Sequence, residues 1–180
     1  MAEGRTRRRA LLWITVAAIA LVLVGVFVIK LMSVPRIHDI TTDTDDPPRF
    51  VALLPARQAS SNGADYGGPA VAAQQKRGYP DIRPMLLPDP PERAFAKVEA
   101  AARAMGWHIA AAVPAEGRLE ATDTTRWLRF KDDIVVRVAP APNGSRVDVR
   151  SVSRIGRSDL GLNARRIRAF LARLSTPAPR

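Results

Sequence analysis

The chain of 180 residues contains no cysteine and only two histidines, His38 and His108. Without cysteine it has no disulfide bond, no thiol nucleophile and no thiolate metal ligand. Two imidazole side chains are also too few for a histidine-rich zinc centre. We therefore predict that the protein holds no metal and no cofactor.

Recognisable catalytic motifs are missing as well. The serines of the C-terminal half stand in neither a Gly-x-Ser-x-Gly nor a Ser-x-x-Lys context. The acids that offer the paired carboxylates of a glycosidase are Glu120, Asp123, Asp132 and Asp133. Acids among this many arginines more often form structural ion pairs. We assign no catalytic residue and favour a non-enzymatic protein over an enzyme.

A basic N-terminus precedes a long apolar run. Residues 1–9 include four arginines, and the twenty residues 10–29 carry no charge. Twenty helical residues span about 30 Å, the thickness of a bilayer's hydrocarbon core. A secretory signal has a shorter apolar stretch and a small-x-small cleavage site, which does not follow here. The sequence predicts a cytoplasmic basic tail at residues 1–9 and a single-pass anchor in the lipid bilayer at residues 10–30. By the positive-inside bias, the protein would lie in a bacterial inner membrane with its C-terminal domain in the periplasm.

The composition changes after this run. Ten of the fifteen prolines lie between residues 33 and 91, so residues 31–78 are predicted to be a Pro/Gly-rich linker. Residues 39–46 contain four aspartates but lack the glycine and glutamate positions of an EF-hand loop, which favours a solvated acidic segment. The apolar residues 49–54 are expected to dock on the folded domain.

Residues 79–175 carry the pattern of an α+β domain. Asp89 as N-cap and Glu92 three residues later predict a capping box, and Gly106 predicts the end of that helix. Strands are predicted at 107–113, 118–122, 133–139 and 146–153, followed by a second helix. The predicted fold is an N-terminal transmembrane helix followed by a four-stranded antiparallel sheet covered by two helices.

A two-residue turn at Asn143-Gly144 would set the register of the last hairpin. It would place Val138 opposite Val149 and Arg137 opposite Arg150.

The corner between the last strand and the last helix is the part of the sequence closest to chemistry. Six of the residues 148–171 are arginines, and Ser158 or Asp159 stands at the expected N-cap. Unpaired N–H groups and the positive end of a helix dipole attract an anion. The candidate site residues are Arg150, Arg154, Arg157, Ser158, Asp159, Asn163 and Arg166.

The competing interpretation is structural. Asp132 and Asp133, together with Asp159, are candidate partners that would neutralise the arginines and fix the corner. A cavity with an unpaired arginine and a carboxylate of perturbed pKa would favour an enzyme. A fully paired corner would favour a binding or structural module.

Three runs of residues, 117–122, 130–137 and 148–163, resemble domain-of-unknown-function family 1499. The resemblance covers residues 79–174. Residues 37–43 and 47–50 are similar to a longer, membrane-anchored bacterial form of that family. The resemblance implies an envelope location. It implies no activity and therefore supplies no catalytic residue.

The sequence as a whole predicts a membrane-anchored envelope protein that acts as a non-enzymatic binding or structural module through its arginine-rich corner. The alternative is an envelope hydrolase that acts on an anionic substrate at the same corner. The net charge of +11 makes an anionic lipid, an anionic ligand or an envelope protein the expected partner. Nucleic acid is not expected, because the domain is placed outside the cytoplasm and no aromatic residues are interleaved with the basic ones.

Overall fold

The computed structural model describes residues 13–26, 28, 34–126 and 128–175. The chain divides into two compact units, Met1–Val34 and Pro35–Arg180. In the first unit residues 13–26 and 28 are helical, and Val34, the remaining described residue, lies in a bend. The second unit contains the sheet and the remaining helices.

The predicted membrane anchor at residues 10–30 is wrong. Among the residues that the structure describes, no helix combines the length and the apolar character that a bilayer crossing requires. The predicted inner-membrane location and periplasmic domain are corrected with it. The basic tail predicted for residues 1–9 lies outside the described residues.

The second unit begins with short elements and ends with long ones. In chain order they are β1 (Asp39–Thr41), α1 (Leu54–Gln58), α2 (Gly68–Gly78), β2 (Met85–Leu87), α3 (Pro91–Ala104), β3 (His108–Val113), β4 (Arg118–Thr124), β5 (Lys131–Ala141), β6 (Gly144–Ser153) and α4 (Leu162–Ser175). A 3-10 turn, Pro114–Glu116, joins β3 to β4.

All six strands form one antiparallel sheet in the order β1-β6-β5-β4-β3, and β2 also pairs with β6. β1 pairs with Arg150–Val152 and β2 with Ser145–Val147, so these two strands share one edge of β6. The predicted four-stranded sheet is therefore wrong. The missed strands have three residues each, too few to show an alternating pattern in the sequence.

The main core lies between the sheet and helices α3 and α4. Because side chains alternate along a strand, Ile134, Val136 and Val138 of β5 share this face with Val147 and Val149 of β6. The helices contribute Phe95, Val98, Ile167 and Phe170, among others. The ring of Phe170 stacks on Trp107 with centroids 5.0 Å apart. Each fully buried side chain of this size contributes about 1.5–3 kcal/mol.

The opposite face of the sheet is covered by the segment that was predicted to be a linker. Phe50 and Leu53 are buried against Val135 and Val152. The docking predicted for residues 49–54 is thus confirmed. The surrounding residues are not a linker, because β1, α1 and α2 form within residues 31–78 and pack in the second unit.

The predicted register of the last hairpin is wrong by two residues. Val136 lies opposite Val149, Val138 opposite Val147, and the turn residues are 142 and 143. Gly144 was predicted to be the second residue of the turn, but it is the first residue of β6. Its φ is 135°. A Cβ atom there would lie 2.0 Å from the carbonyl oxygen of Leu87, so close passage of β2, and not the turn, requires the glycine.

Candidate functional site

The structure divides the predicted corner between the two faces of the sheet. Ser151 of β6 contacts the helix face, whereas Arg150, its neighbour, makes its contacts on the opposite face. Arg157 and Ser158 are in neither of these groups of contacts. They line a cavity beyond the end of the strand. The predicted site residues therefore form three groups.

On the helix face, Arg166 is held by two carboxylates. Its Nη2 donates to Asp132 Oδ2 at 2.6 Å, and its Nε donates to Asp123 Oδ2 at 2.8 Å. Nη1 donates to the Oγ of Ser151 at 3.1 Å and to the Oδ1 of Asn163. Arg166 is 5% exposed and Asp132 is 2% exposed, so this is a buried and fully paired network.

Asn163 links this network to the N-terminal part of the domain. Its Oδ1 accepts from the Oγ of Ser151, and its Nδ2 donates to the Oγ of Ser153 and to the carbonyl oxygen of His38. Every polar atom of the buried amide is occupied. Asn163 is thus a structural residue.

On the opposite face, Arg150 is paired with Asp39 of β1. Nε and Nη2 of Arg150 donate to the two carboxylate oxygens at 3.0 and 2.7 Å. The guanidinium also lies 5.5 Å from the ring centroid of Phe50 and 5.6 Å from that of Tyr66. Burial, followed by the charge of Asp39, raises the pKa of Tyr66 to about 12.

A second buried cluster on that face surrounds Asp133. Arg154 donates to both of its carboxylate oxygens at 2.9 Å, and Thr122 donates to Oδ1 at 2.8 Å. Arg57 of α1 approaches Oδ2 less closely, at 3.4 Å. Arg154 and Arg57 thus share one carboxylate.

The N-terminus of α4 is occupied by the carboxylate of Asp159. Its Oδ1 accepts from the N–H of Gly161 and its Oδ2 from the N–H of Asn163, both at 2.8 Å. Burial raises the pKa of Asp159, the two N–H donors oppose that effect, and the charge of Asp132 adds to it. The helix begins at Leu162, three residues after Asp159, so the N-cap position predicted at Ser158 or Asp159 is too early, although the carboxylate of Asp159 does accept N–H groups there. The N–H groups that were expected to bind an external anion are satisfied internally.

Arg157 is the corner arginine whose charge is not neutralised. It is exposed, and within the described part of the chain it forms no ion pair. It lines a cavity of about 680 Å³, here called the cation cavity. The other lining residues are Arg36, Ile37, His38, Asp39, Ser61, Asn62, Asp65, Gly67, Val71, Gln74 and Ser158.

The charge balance of the cation cavity is positive. Arg36 and Arg157 have no acidic partner among the described residues, and Asp39 is already neutralised by Arg150. Asp65 is the remaining free carboxylate. Two free guanidinium groups against one free carboxylate leave one positive charge in a concave, hydroxyl- and amide-lined space.

A second cavity of about 430 Å³, here called the apolar cavity, lies on the other side of Ser158. Its large apolar lining residues are Leu128, Phe130, Ile155, Leu160 and Leu162, and its acids are Asp132 and Asp159. Ser158 lines both cavities.

Comparison with protein families shows which family the chain belongs to. Residues 39–174 match the family described as "Protein of unknown function (DUF1499)". The chain belongs to the DUF1499 family. The DUF1499 match begins at β1, so the family domain includes the segment that was predicted to be a linker. The match does not support the predicted membrane-anchored form. Comparison with curated proteins finds no match.

The described residues of the DUF1499 domain contain no group of three or more metal-ligating side chains that could hold a metal ion. The cavities are lined by guanidinium, hydroxyl, amide and apolar groups together with the carboxylates of Asp39, Asp65, Asp132 and Asp159. Guanidinium and hydroxyl groups are donors that an anionic molecule can accept from.

Sequence reasoning missed several residues that build the site. Asp39, Arg57 and Arg36 all lie in the segment taken for a linker, far from their partners along the chain. For Arg57 a signal existed: Leu53 and Arg57 are four residues apart, so a short helix that buried the apolar patch would also bury this arginine. No local signal connects Asp39 to Arg150, because strand pairing brings together residues 111 positions apart.

Proposed function

We propose that this domain is a non-enzymatic binding module that accepts an anionic group, such as a phosphate or a carboxylate, in the cation cavity. The observation that carries the proposal is that Arg157 forms no ion pair with any residue that the structure describes and lines, with Arg36, a concave space of about 680 Å³. Arg150, Arg154 and Arg166 have a structural role in this proposal, because buried carboxylates neutralise each of them.

The loop that carries Arg157 is held in place before any ligand binds. The Nδ2 of Asn62 donates to the carbonyl oxygens of Ser153 and Gly156, both at 2.9 Å. The N–H of Asn62 donates to the carbonyl oxygen of Arg154 at 3.2 Å, and that of Asp159 to the carbonyl oxygen of Ile37. These bonds connect the loop to both sides of the cation cavity, so little ordering is needed on binding.

The experiment is a calorimetric titration of the full chain with inorganic phosphate and with pyrophosphate at moderate salt. We expect saturable binding that Arg157→Ala weakens by about 1–3 kcal/mol, the contribution of a charge-assisted hydrogen bond. The melting temperature of this variant should change little, because Arg157 is exposed and forms no ion pair within the described residues.

Two further variants serve as controls. Arg93→Ala removes one exposed charge from α3, outside the cavity, and should leave phosphate binding unchanged. Arg154→Ala should lower the melting temperature, because it removes the main partner of Asp133. Absence of phosphate binding, or equal loss in Arg157→Ala and Arg93→Ala, would show that the cavity does not recognise an anion.

A second candidate function is a hydrolase acting on an anionic substrate. The observation that favours it is Asp159, a carboxylate of raised pKa that lines the apolar cavity. Both oxygens of Asp159 accept backbone N–H groups, and Asp132 is paired with Arg166, which leaves no free acid-base pair in this group. Release of nitrophenol from phosphate or short-chain esters, abolished by Asp159→Asn, would favour the hydrolase over the binding module.

A further inference from the structure

Most of the exposed large apolar side chains of the domain line the apolar cavity. Between residues 34 and 175, six large apolar side chains of the described residues are exposed: Val51, Leu86, Leu128, Phe130, Ile155 and Leu160. The last four line the apolar cavity. Their exposed fractions run from 45% for Phe130 to 70% for Leu128. A concentrated and concave apolar surface of this kind is typical of a ligand site.

The backbone holds part of this surface in an unfavourable conformation. Among the described non-glycine residues, only Arg129, with φ of 55°, and Leu160, with φ of 52°, have positive φ. Leu160 lines the apolar cavity, and Arg129 stands between its lining residues Leu128 and Phe130. Such a conformation is energetically unfavourable for a residue with a side chain, and residues of this kind cluster at ligand sites.

The free charges at the apolar cavity are positive. Asp159 is occupied by backbone N–H groups, and Asp132 is held by Arg166 at 2.6 Å. Arg126 and Arg165 also line the cavity, and neither forms an ion pair within the described part of the chain. An apolar guest with a cationic head would find no free carboxylate here, whereas an anionic head is compatible with the free arginines.

The two cavities are adjacent along one short segment. Arg157 lines the cation cavity, Gly156 lines the apolar cavity, and Ser158 lines both. A molecule with an anionic group at Arg157 therefore needs only to pass Ser158 for an attached hydrocarbon chain to reach Ile155 and Leu160.

We infer that the ligand of this domain is a single-chain anionic amphiphile, an alkyl phosphate or a fatty acid. Its head binds in the cation cavity at Arg36 and Arg157, and its hydrocarbon chain lies in the apolar cavity against Ile155 and Leu160. This inference rests on the proposed anion binding and adds the class of ligand. Burial of the ligand's hydrocarbon chain supplies affinity, and the two arginines select a negatively charged head group.

The test compares three probes on the full chain by calorimetry: inorganic phosphate, dodecyl phosphate below its critical micelle concentration, and uncharged dodecyl maltoside. Dodecyl phosphate should bind at least about tenfold more tightly than inorganic phosphate, because only it buries a hydrocarbon chain. It should also bind more tightly than dodecyl maltoside. Ile155→Ser and Leu160→Ser should each weaken dodecyl phosphate about tenfold and leave inorganic phosphate unchanged. Arg157→Ala should weaken both anionic probes.

Leu86→Ser is the matched control, since Leu86 is exposed and apolar but does not line the cavity. Equal affinity for dodecyl phosphate and inorganic phosphate would overturn the amphiphile and leave the anion site intact. Binding of neither probe would overturn both proposals. Equal binding of dodecyl maltoside, or a loss in Leu86→Ser as large as in Ile155→Ser, would indicate unspecific adsorption and overturn the amphiphile.

Discussion

Arg57 illustrates how differently single arginines behave in this chain. Its side chain is fully buried, and its Nε and Nη2 have no hydrogen-bond partner among the described residues. Burial lowers the pKa of Arg57, and Asp133 opposes that effect only in part. The guanidinium lies 5.5 Å from the ring centroid of Phe50. The charge of Arg57 therefore costs stability that the surrounding apolar contacts must offset.

From this burial we predict opposite results for the two members of the pair. Arg57→Met should leave the free energy of unfolding within about 1 kcal/mol of the parent or raise it, because a buried cation is replaced by an apolar side chain of similar length. Asp133→Ala should lower it by about 3–5 kcal/mol, because Arg57 and Arg154 would both lose their carboxylate. Chemical denaturation measures both. Equal losses would mean that Arg57 is a stabilising partner of Asp133.

The acidic run is solvated only in part: the side chains of Asp45 and Asp46 are exposed, whereas that of Asp43 is mostly buried and paired. Its Oδ2 accepts from Arg146 at 2.6 Å and from Arg137 at 3.2 Å, and its Oδ1 accepts from the N–H of Asp45 and Asp46. Burial by itself would raise the pKa of Asp43, but the two N–H donors and the two arginines outweigh it and lower that pKa. The segment is thus attached to the β5–β6 hairpin by its charge.

A pH dependence follows from the lowered pKa of Asp43. A carboxyl group whose pKa is lower in the folded state stabilises the fold above its unfolded pKa and loses that contribution as the pH falls through the folded pKa. We expect Asp43→Asn to lower the free energy of unfolding by about 1–2 kcal/mol at neutral pH. The difference from the parent should shrink in acid, once the parent carboxylate is protonated. Asp65→Asn, an exposed acid with no ion pair among the described residues, is the control and should show no such trend.

At the scale of elements, the sequence predicts the long strands and helices whose apolar residues recur at a regular spacing. The strand predicted at 133–139 extends over Lys131–Ala141, and that predicted at 146–153 over Gly144–Ser153. Features that depend on contact with a segment distant in the sequence are missed. The N-cap of α3 is Pro90 in place of Asp89, because Asp89 pairs with Lys97 and its carbonyl oxygen accepts from Ser145. The local capping motif cannot show that β6 lies close to Asp89.

The hairpin register was missed for the same physical reason. An Asn-Gly pair normally indicates a tight turn, but here the two central residues are Pro142 and Asn143. The observed register places Arg137 opposite Asp148, which replaces the predicted arginine pair by an ion pair at 3.0 Å. Hydrophobic alternation alone did not decide between the two registers, because a shift of two residues keeps every side chain on its face.

Close passage of β2 against Gly144 gives a testable expectation. Gly144→Ala should lower the melting temperature strongly, because its Cβ would lie 2.0 Å from the carbonyl oxygen of Leu87 and φ is positive. Gly63→Ala is the control, with φ of 58° and open space around the added Cβ. It should cost only the conformational penalty of about 1 kcal/mol. Similar losses in both variants would show that β2 moves aside without cost.

At the scale of the whole molecule, the family domain extends over the segment before Tyr79. The sequence located the α+β part at 79–175 because its helices and strands are long and periodic. It could not show that Phe50 and Leu53 cover Val135 and Val152 on the second face of the sheet. The ion pairs that join the two parts, such as Asp39 with Arg150, depend on tertiary structure and leave no local pattern.

The last prediction compares two fragments of the chain. A fragment of residues 35–175 should unfold cooperatively, because it keeps all six strands and both faces of the sheet covered. A fragment of residues 79–175 should fail to unfold cooperatively, although it contains β2 to β6 and the two long helices. It loses β1 together with Phe50 and Leu53, which cover the second face of the sheet, and two buried side chains of this size contribute about 1.5–3 kcal/mol each, a large part of the 5–15 kcal/mol of a typical domain.

Calorimetry and amide hydrogen exchange of both fragments, with the full chain as reference, measure this difference. The exposed Val135 and Val152 should also make the shorter fragment bind a hydrophobic dye. Arg150→Met in residues 35–175 leaves Asp39 buried and unpaired and should destabilise, whereas in the shorter fragment, which lacks Asp39 and the residues that cover Arg150, the same change should cost little stability. If residues 79–175 melt cooperatively at the midpoint of residues 35–175, the N-terminal segment is an accessory to the sheet and the family domain is the shorter unit.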